Sequence, residues 1–528
     1  MKKLALLTIL IGIIHITVIS QGCLPEGITF SSQTQIDSFP INFPGCYEIE
    51  GQVIISGDNI VNLDSLYGII SVGDNLSIIN NSSLNSLNGL NNLNVVYGHI
   101  NIKGNSILQN LTGFESLDSI MQNISIGGYP EEGNPSIKNL EGLGNLIYIG
   151  GNMKVHNCDS LTSLYGIYSL TSINGRLEIF NNDQLASLLG LENITDASDI
   201  SILSNIILSN LSGLNNVESI TNTLSVQWNS ALTSLSGMGH LDSIGDLRII
   251  DNERLKSLAG LEDLSHIAEG VFISANDSLI NLVGFPIIEN LFGTLNISAN
   301  HALNNLEGLE HLQTIDGNLY IGSITSEGNN SLIDLTGLEN LEFINGDFVI
   351  LDNYILNDLS ALQQLTQING NLAIYDNYSL VNLEGIDNID YSSINWVSIK
   401  DNPNLSNCAI KSICNHLADT LGYNRIEYNA NGCNNISEVE EACLVGITEN
   451  DIKSEFKIYP NPAKRNISIS STNSTSIDFV TIYNQLGQEV LHQTYTTKRI
   501  DISQLNQGLF ILEIHSNKLK IRKKLIIE

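Results

Sequence analysis

Apolar residues recur along the chain at three-residue steps, broken once in each period by a strict alternation. The stretch Leu335-Thr336-Gly337-Leu338-Glu339-Asn340-Leu341-Glu342-Phe343-Ile344-Asn345-Gly346-Asp347-Phe348-Val349-Ile350-Leu351-Asp352-Asn353 shows it in full. As a pattern it is L-x-G-L-x-x-L-x-x-I-x-G-x-φ-x-I-x-x-N, with φ apolar. It mostly returns every 23 or 24 residues and covers about two thirds of the chain. A sustained period in that range predicts a solenoid. The alternating pairs, such as Leu319 with Ile321 and Leu372 with Ile374, predict a short strand with both side chains inward. The three-residue steps predict a tight winding rather than a long helix. One turn cannot bury its own apolar face, whereas stacked turns bury a continuous core.

Two further ladders set the register. Glycine recurs at Gly68, Gly89, Gly113, Gly142, Gly166, Gly190, Gly213, Gly237, Gly260, Gly284, Gly308, Gly337 and Gly385, with Ala361 in the missing place. Such positions are expected where the chain bends and few side chains fit. Ahead of the glycines runs a line of asparagines: Asn81, Asn105, Asn134, Asn182, Asn205, Asn229, Asn252, Asn276, Asn300, Asn329, Asn353 and Asn377, continued by Asn402. A buried Asn needs partners for its donors and acceptors, and the backbone of the next turn can supply them. The asparagine ladder is therefore expected to be structural. Cys158 stands where one Asn would be, and is expected to be a free thiol inside the core.

The run L-x-I-x-x-N-x-x-L resembles the leucine-rich repeat. The preceding I-x-G, as in Thr314-Ile315-Asp316-Gly317-Asn318-Leu319-Tyr320-Ile321, is similar to the receptor L domain, the ligand-binding solenoid of the insulin and epidermal growth factor receptors. The resemblance covers about residues 57–406. It implies an all-β chain built on a right-handed parallel β-solenoid. It brings no catalytic residue, and receptor ligand contacts do not transfer position by position.

The flanking segments complete the plan. Lys2-Lys3 followed by an apolar run over residues 4–19 reads as a signal peptide, residues 1–20, cut after Ser20. A lipoprotein cut before Cys23 is the rival, and Ser20-Gln21 fits it poorly. No later apolar run is long enough to span a bilayer, so no transmembrane segment is expected in the mature protein. Residues 21–56 read as an N-terminal cap over the first turn. Cys23 and Cys46 bracket it, and export favours a disulfide between them. Val53-Ile54-Ile55 is the expected first strand. Repeats then fill residues 57–406, about fourteen turns, which at about 4.8 Å per turn gives a stack of roughly 65–70 Å. Two turns are longer by five residues, at 127–133 and 322–328. Loops at one edge of a solenoid are often binding decorations, and neutral insertion leaves the same trace.

Residues 407–445 carry Cys408, Cys414, Cys433 and Cys443 and read as a disulfide-stapled C-terminal cap. Three pairings are open, and Cys408 with Cys433 and Cys414 with Cys443 is favoured. A zinc site is the rival, disfavoured by export and by the lack of close C-x-x-C pairs. Helical spacing is expected over 409–421, and a second short helix over 437–442.

After a linker at 446–455 the period is gone. Short strands with turns between them over 456–528 predict a small β-sandwich. Tyr459-Pro460-Asn461-Pro462, Ile482-Tyr483-Asn484-Gln485-Leu486-Gly487-Gln488, Ile502-Ser503-Gln504-Leu505-Asn506-Gln507-Gly508-Leu509-Phe510 and the basic end Lys523-Lys524-Leu525-Ile526-Ile527 resemble a type A C-terminal sorting domain. Phe510 replaces the usual Tyr. That family implies general export, then passage through the type IX secretion machinery of Bacteroidota. It further implies removal of the sorting domain and a product that is anchored to the surface or released.

Charge narrows the partners. Residues 453–528 hold 11 Lys and Arg against 6 Asp and Glu, while the remainder holds 12 against 50. An acidic body of this kind repels nucleic acid and anionic membrane. Basic partners or divalent cations remain compatible with it, although the acidity also serves plain solubility.

The outward residues of successive strands are Ser77, Asn101, Ser125, Lys154, Glu178, Ser201, Ser225, Arg248, Phe272, Asn296, Tyr320, Val349, Ala373 and Ser398. This mixed list lacks the Thr ladder of an ice-binding face. It also lacks the Asp, Lys and Arg clusters of a polysaccharide lyase, and Lys154 beside Glu178 is expected to be a surface ion pair. One patch differs. Asp352, Asp376 and Asp401 precede the ladder Asn in three consecutive turns; such a stack holds calcium or is screened by water. Tyr354, Tyr375 and Tyr378 belong to the same region and could stack on a sugar ring or cover an edge. No nucleophile motif, phosphate loop or metal-ligand spacing is present, and no cofactor is expected beyond that possible calcium. The expectation is a non-enzymatic recognition or adhesion protein for an extracellular glycan or protein. The alternatives are a structural surface protein without a ligand and a surface polysaccharide enzyme.

Overall fold

The computed structural model describes residues 22–129, 132–323, 327–419, 423–445, 456–471, 477–484, 487–495, 499–516 and 519–528. The expected signal peptide and linker lie outside the described residues. The chain forms two compact units, Met1–Cys443 and Leu444–Glu528.

The first unit is a parallel β-solenoid. Each turn is wound as a run of three-residue steps: the Leu338 N–H donates to Leu335 O, and the Leu341 N–H to Leu338 O, both at 3.1 Å. This places Leu332, Leu335, Leu338 and Leu341 inside at 0 % exposure, where Ile344, Phe348 and Ile350 of the same turn join them. The i to i+3 bonding thus turns the three-residue spacing of the sequence into an inward row. The L-x-I pairs form one column of parallel strands, as in Leu319–Ile321, Phe348–Leu351, Leu372–Tyr375 and Val397–Lys400. The I-x-G segments form a second column of two-residue strands, as in Thr314–Ile315 and Phe343–Ile344. In five middle turns the two fuse into single long strands, from Ser172–Phe180 to His266–Ser274, with the register shifting inside each pairing between them.

The stack extends beyond the expected repeats at both ends. Its first strand is Ile28–Phe30, which pairs in parallel with Val53–Ile55, so the cap itself supplies a turn. At the other end Arg425–Glu427 pairs with Val397–Lys400. The disulfides are Cys23–Cys46, Cys408–Cys433 and Cys414–Cys443. Cys414–Cys443 joins the helices Lys411–Asp419 and Ile436–Val445, and Cys408–Cys433 ties the segments that lead into them; residues 420 and 421 of the expected first helix lie outside the described residues.

The asparagine ladder is a continuous hydrogen-bond chain. Asn252 Nδ2 donates back to Val226 O at 2.9 Å and forward to Asn276 Oδ1 at 3.2 Å, and the Asn252 N–H donates to Asn276 Oδ1 at 3.1 Å. Every ladder Asn from Asn81 to Asn402 is fully buried. The ladder starts at the Gly57 N–H, which donates to Asn81 Oδ1, and ends at Asn429, whose Oδ1 accepts from the Asn402 N–H. Asn429 is a member that spacing alone does not reveal. Cys158 is free and buried in its place in the ladder. Its N–H still donates to Asn182 Oδ1 at 3.1 Å, while its thiol points at His156 O at 3.4 Å. Burial pushes the Cys158 thiol up to about 12, with the Asn134 N–H opposing and Asp159 adding to the rise. We expect no alkylation of Cys158 by iodoacetamide at pH 8 in the folded chain and full alkylation after denaturation, read by intact mass.

The glycine ladder needs one correction. Gly89 would place a Cβ 1.9 Å from Leu63 O, and Gly113 one 2.2 Å from Leu87 O. The glycine site therefore lies two residues after the contacted Leu, and in the first turn it is Ser65, not Gly68. Ser65 and Ala361 are the two non-glycine occupants, and both sit inside 3-10 turns, Asp64–Leu66 and Ser360–Leu362. That local winding avoids the positive φ of the other turns, so a Cβ is tolerated.

The second unit has two antiparallel groupings. Phe456–Tyr459, Asn466–Ser471 and Ile500–Asp501 form one; Glu489–Thr494, Phe479–Tyr483, Gly508–Ser516 and Leu519–Ile527 form the other. They share one core that includes Phe456, Ile482, Phe510 and Leu525.

Candidate functional site

The residue before each ladder Asn turns the chain out of the strand. It takes a left-handed backbone at Asn80, Asn157, Asn181, Asp251, Asp352, Asp376 and Asp401, with φ between 52° and 59°. Asn and Asp enter that region more readily than other side-bearing residues. The corner thus gives the three aspartates a conformational reason to be there. It also points three carboxylates along one edge. Desolvation raises Asp352 above the ordinary carboxylate value, with Asp376 and Glu327 adding to it. Asp376 is raised by desolvation and then by Asp401, against Lys400. Among the described residues no group of three or more His, Cys, Asp or Glu is arranged to hold a metal ion.

The three tyrosines are divided. Tyr354 and Tyr378 follow the corner on adjacent turns and stack at 5.0 Å between centroids, with both rings exposed. Tyr375 lies instead on the outer side of its strand, where the Lys400 ammonium sits 5.0 Å from its ring centroid. Next to the stacked pair is an open cavity of ≈ 250 Å³ lined by Asp376, Tyr378, Asp401, Pro403 and Tyr428. Tyr428 and Pro403 are not singled out by sequence reading. Tyr428 precedes Asn429 as Asp401 precedes Asn402, so it holds the same corner one turn on, at a 27-residue step that the repeat spacing does not reveal.

The outer face of the sheet has a different character. Strand pairing lines up Ser125, Lys154, Glu178, Ser201, Ser225, Arg248, Phe272, Asn296 and Tyr320 across successive turns. Six of the ten Lys and Arg of residues 22–443 occupy outward strand positions: Lys103, Lys154, Arg176, Arg248, Lys400 and Arg425. Each meets a carboxylate: Lys103 with Glu132 at 2.7 Å, Lys154 with Glu178 at 3.6 Å, Arg176 with Asp199 at 3.4 Å, Lys400 with Asp401 at 3.7 Å, Arg248 with Asp246 and Arg425 with Glu427. The His156 ring, 3.0 Å from Glu178, holds that carboxyl below its usual range against the effect of burial, with Lys154 and Arg176 adding to it. Rings are interleaved: the Arg248 guanidinium lies 4.8 Å from the Phe272 centroid, and Tyr129 of the first long loop stacks on Phe180 at 5.7 Å. Residues 130 and 131 of that loop, and 324–326 of the second, lie outside the described residues.

In the second unit the Tyr459-Pro460-Asn461-Pro462 turn is tied to the chain's basic end. Asn461 Nδ2 donates to Lys524 O at 2.7 Å, and its Oδ1 accepts from the Ile526 N–H at 2.8 Å. Phe510 is buried in the core, where a hydroxyl is not required. Among the described residues no helix is long and apolar enough to cross a membrane. No curated protein matches the chain. Residues 457–528 match the family model described as a secretion system C-terminal sorting domain. The C-terminal unit is thus a type IX sorting domain, and the chain is exported by that route to the cell surface or beyond it.

Proposed function

We propose that the solenoid is an extracellular recognition or adhesion module that binds a glycan or protein without turning it over. The observation that carries this is the gathering of six ion-paired Lys and Arg, with Phe180, Phe272, Tyr320 and Tyr375 among them, on one sheet face of an otherwise acidic body. Pairs exposed on both sides, such as Lys103–Glu132, Lys400–Asp401 and Arg425–Glu427, stabilise a fold by only about 0–1 kcal/mol, so stability does not demand all of this clustering, although Arg176 and Arg248 also answer the buried carboxylates of Asp199 and Asp246. Arg and aromatic side chains on a rigid surface are the composition of binding hot spots. The satisfied asparagine ladder beneath supplies the rigidity.

The test is an array of glycans and extracellular proteins probed with the full mature chain, with and without calcium. Saturable binding with no change in the ligand's mass is the expected result. Cleavage of a bound glycan would replace this reading by an enzymatic one. A folded chain that binds nothing would favour a structural role at the surface.

A further inference from the structure

The cavity at the late corner stands apart from the sheet face, and its chemistry is more specific. The solenoid twice builds the same triad of ring, carboxylate and cation from its own side chains. Arg248 lies over Phe272 and pairs with Asp246. Lys400 lies over Tyr375 and sits 3.7 Å from Asp401. The cavity offers ring and carboxylate again: Tyr378 and Tyr428 in its walls with Asp376, beside the Asp401 that Lys400 already meets. Among the described residues no Lys or Arg lies within ion-pair distance of Asp376. Lys400 acts on Asp376 from a distance while pairing with Asp401, so the place directly at Asp376 is open to a second cation.

We propose that this cavity binds the side chain of a Lys or Arg from a protein partner, seated against Tyr378 and Tyr428 with its charge at Asp376. Three arguments favour that occupant. A ring face attracts a cation most strongly where water is partly excluded, and Tyr378 is already shielded on one side by its stack with Tyr354. The alkyl stem of a Lys or Arg also suits the Pro403 surface. Finally, a second cation relieves the carboxylate row, in which Asp401 still raises Asp376 although Lys400 opposes it. A neutral sugar would stack on the rings but leave that repulsion in place. The left-handed corners at Asp376, Asp401 and Tyr428 hold the three side chains on fixed backbone, so little order is lost on binding.

This inference rests on the recognition reading, and its experiment separates the two. The full mature chain is titrated by calorimetry with a Lys/Arg-rich dodecapeptide, its norleucine analogue, a chito-oligosaccharide amine, a neutral gluco-oligosaccharide and calcium chloride. Saturable binding of the basic peptide alone is expected. Tyr378→Ala and Asp376→Asn should each weaken it at least tenfold, while Asp263→Asn, which removes the same charge elsewhere on the solenoid, should change it less than twofold. Equal loss in all three variants would reduce the effect to general acidity and overturn the site. Preference for the amino sugar, the neutral sugar or calcium would overturn the occupant. Array ligands that bind regardless of Tyr378 and Asp376 would sink this site and leave recognition by the sheet face standing. An unchanged unfolding midpoint for Asp376→Asn shows that the loss comes from the site and not from the fold.

Discussion

Replacing Asn252 by Ala should lower the unfolding free energy by roughly 2–6 kcal/mol, because each buried polar group left without a partner costs about 1–3 kcal/mol. Two groups are stranded at once. Val226 O loses the donor at 2.9 Å and the Asn229 N–H loses its acceptor at 3.2 Å, while Asn229 Nδ2 keeps Ile202 O at 2.8 Å and Gln227 O at 2.9 Å. Water cannot replace them, since Asn229 and Asn252 are both fully buried. The damage also spreads. Each ladder Asn bonds both neighbours, and in a stack each turn is held chiefly by the turns beside it. The measurement is urea denaturation with the disulfides kept intact, paired with hydrogen exchange. The exchange map should show lost protection centred on the turns around Asn229 and Asn252 before the ends of the stack respond. A midpoint within experimental error of the parent would mean that the ladder is spectator chemistry.

Gly237→Ala should cost about 3 kcal/mol or more, since a conformation open only to glycine costs on the order of 1–3 kcal/mol before any clash is added. Gly237 has φ +115°, and a Cβ there would lie 2.3 Å from both Leu211 C and Leu211 O of the preceding turn. Those atoms are backbone, so the turns must part to admit a methyl group. Gly68→Ala is the contrast. Gly68 has no positive φ, and its added Cβ would meet only the edge of the Tyr47 ring at 3.1 Å. It should shift the midpoint little. Equal effects at the two positions would contradict the register derived from the Leu63 and Leu87 contacts.

Much of this fold was legible in the sequence because solenoid physics is periodic. The inward Leu and Ile rows, the Asn ladder and the outward strand residues all follow from spacing, and strand pairing aligns them in the same order. Legibility failed where periodicity was replaced by something local. Ile28–Phe30 is a strand without repeat context, so the stack was expected to begin at Val53. Gly68 mimics a ladder glycine in the sequence because the first turn winds as a 3-10 segment, in which Ser65 is the true counterpart. Asn429 follows Asn402 by 27 residues through a Cys-rich segment, which obscured the ladder's last rung.

The candidate site was half legible. The sequence pointed to Asp352, Asp376 and Asp401 as a charge row. The left-handed corner that selects Asp and Asn at that place was invisible, because Trp228, Ala275 and Ala299 occupy the same corner in other turns. Tyr375 and Tyr378 are close in sequence, yet the corner between them sends one to the sheet face and the other to the edge. The clustering of Lys and Arg on the sheet was masked by counting charge along the chain, where the acidic excess dominates. Spacing sets Lys154 and Arg248 outward, and strand pairing adds Lys103, Arg176, Lys400 and Arg425 to the same face.

The most direct test of the recognition reading is a binding isotherm of the full mature chain with its array ligand, set beside Arg248→Ala and Phe272→Ala. These two side chains are stacked on one another at 4.8 Å and face outward at the middle of the sheet. Saturable binding is expected, weakened at least tenfold by each substitution, the loss of roughly 1.4 kcal/mol of a modest hot spot, with unchanged unfolding midpoints. Affinity indifferent to both changes, or ligand cut rather than held, would contradict the recognition reading.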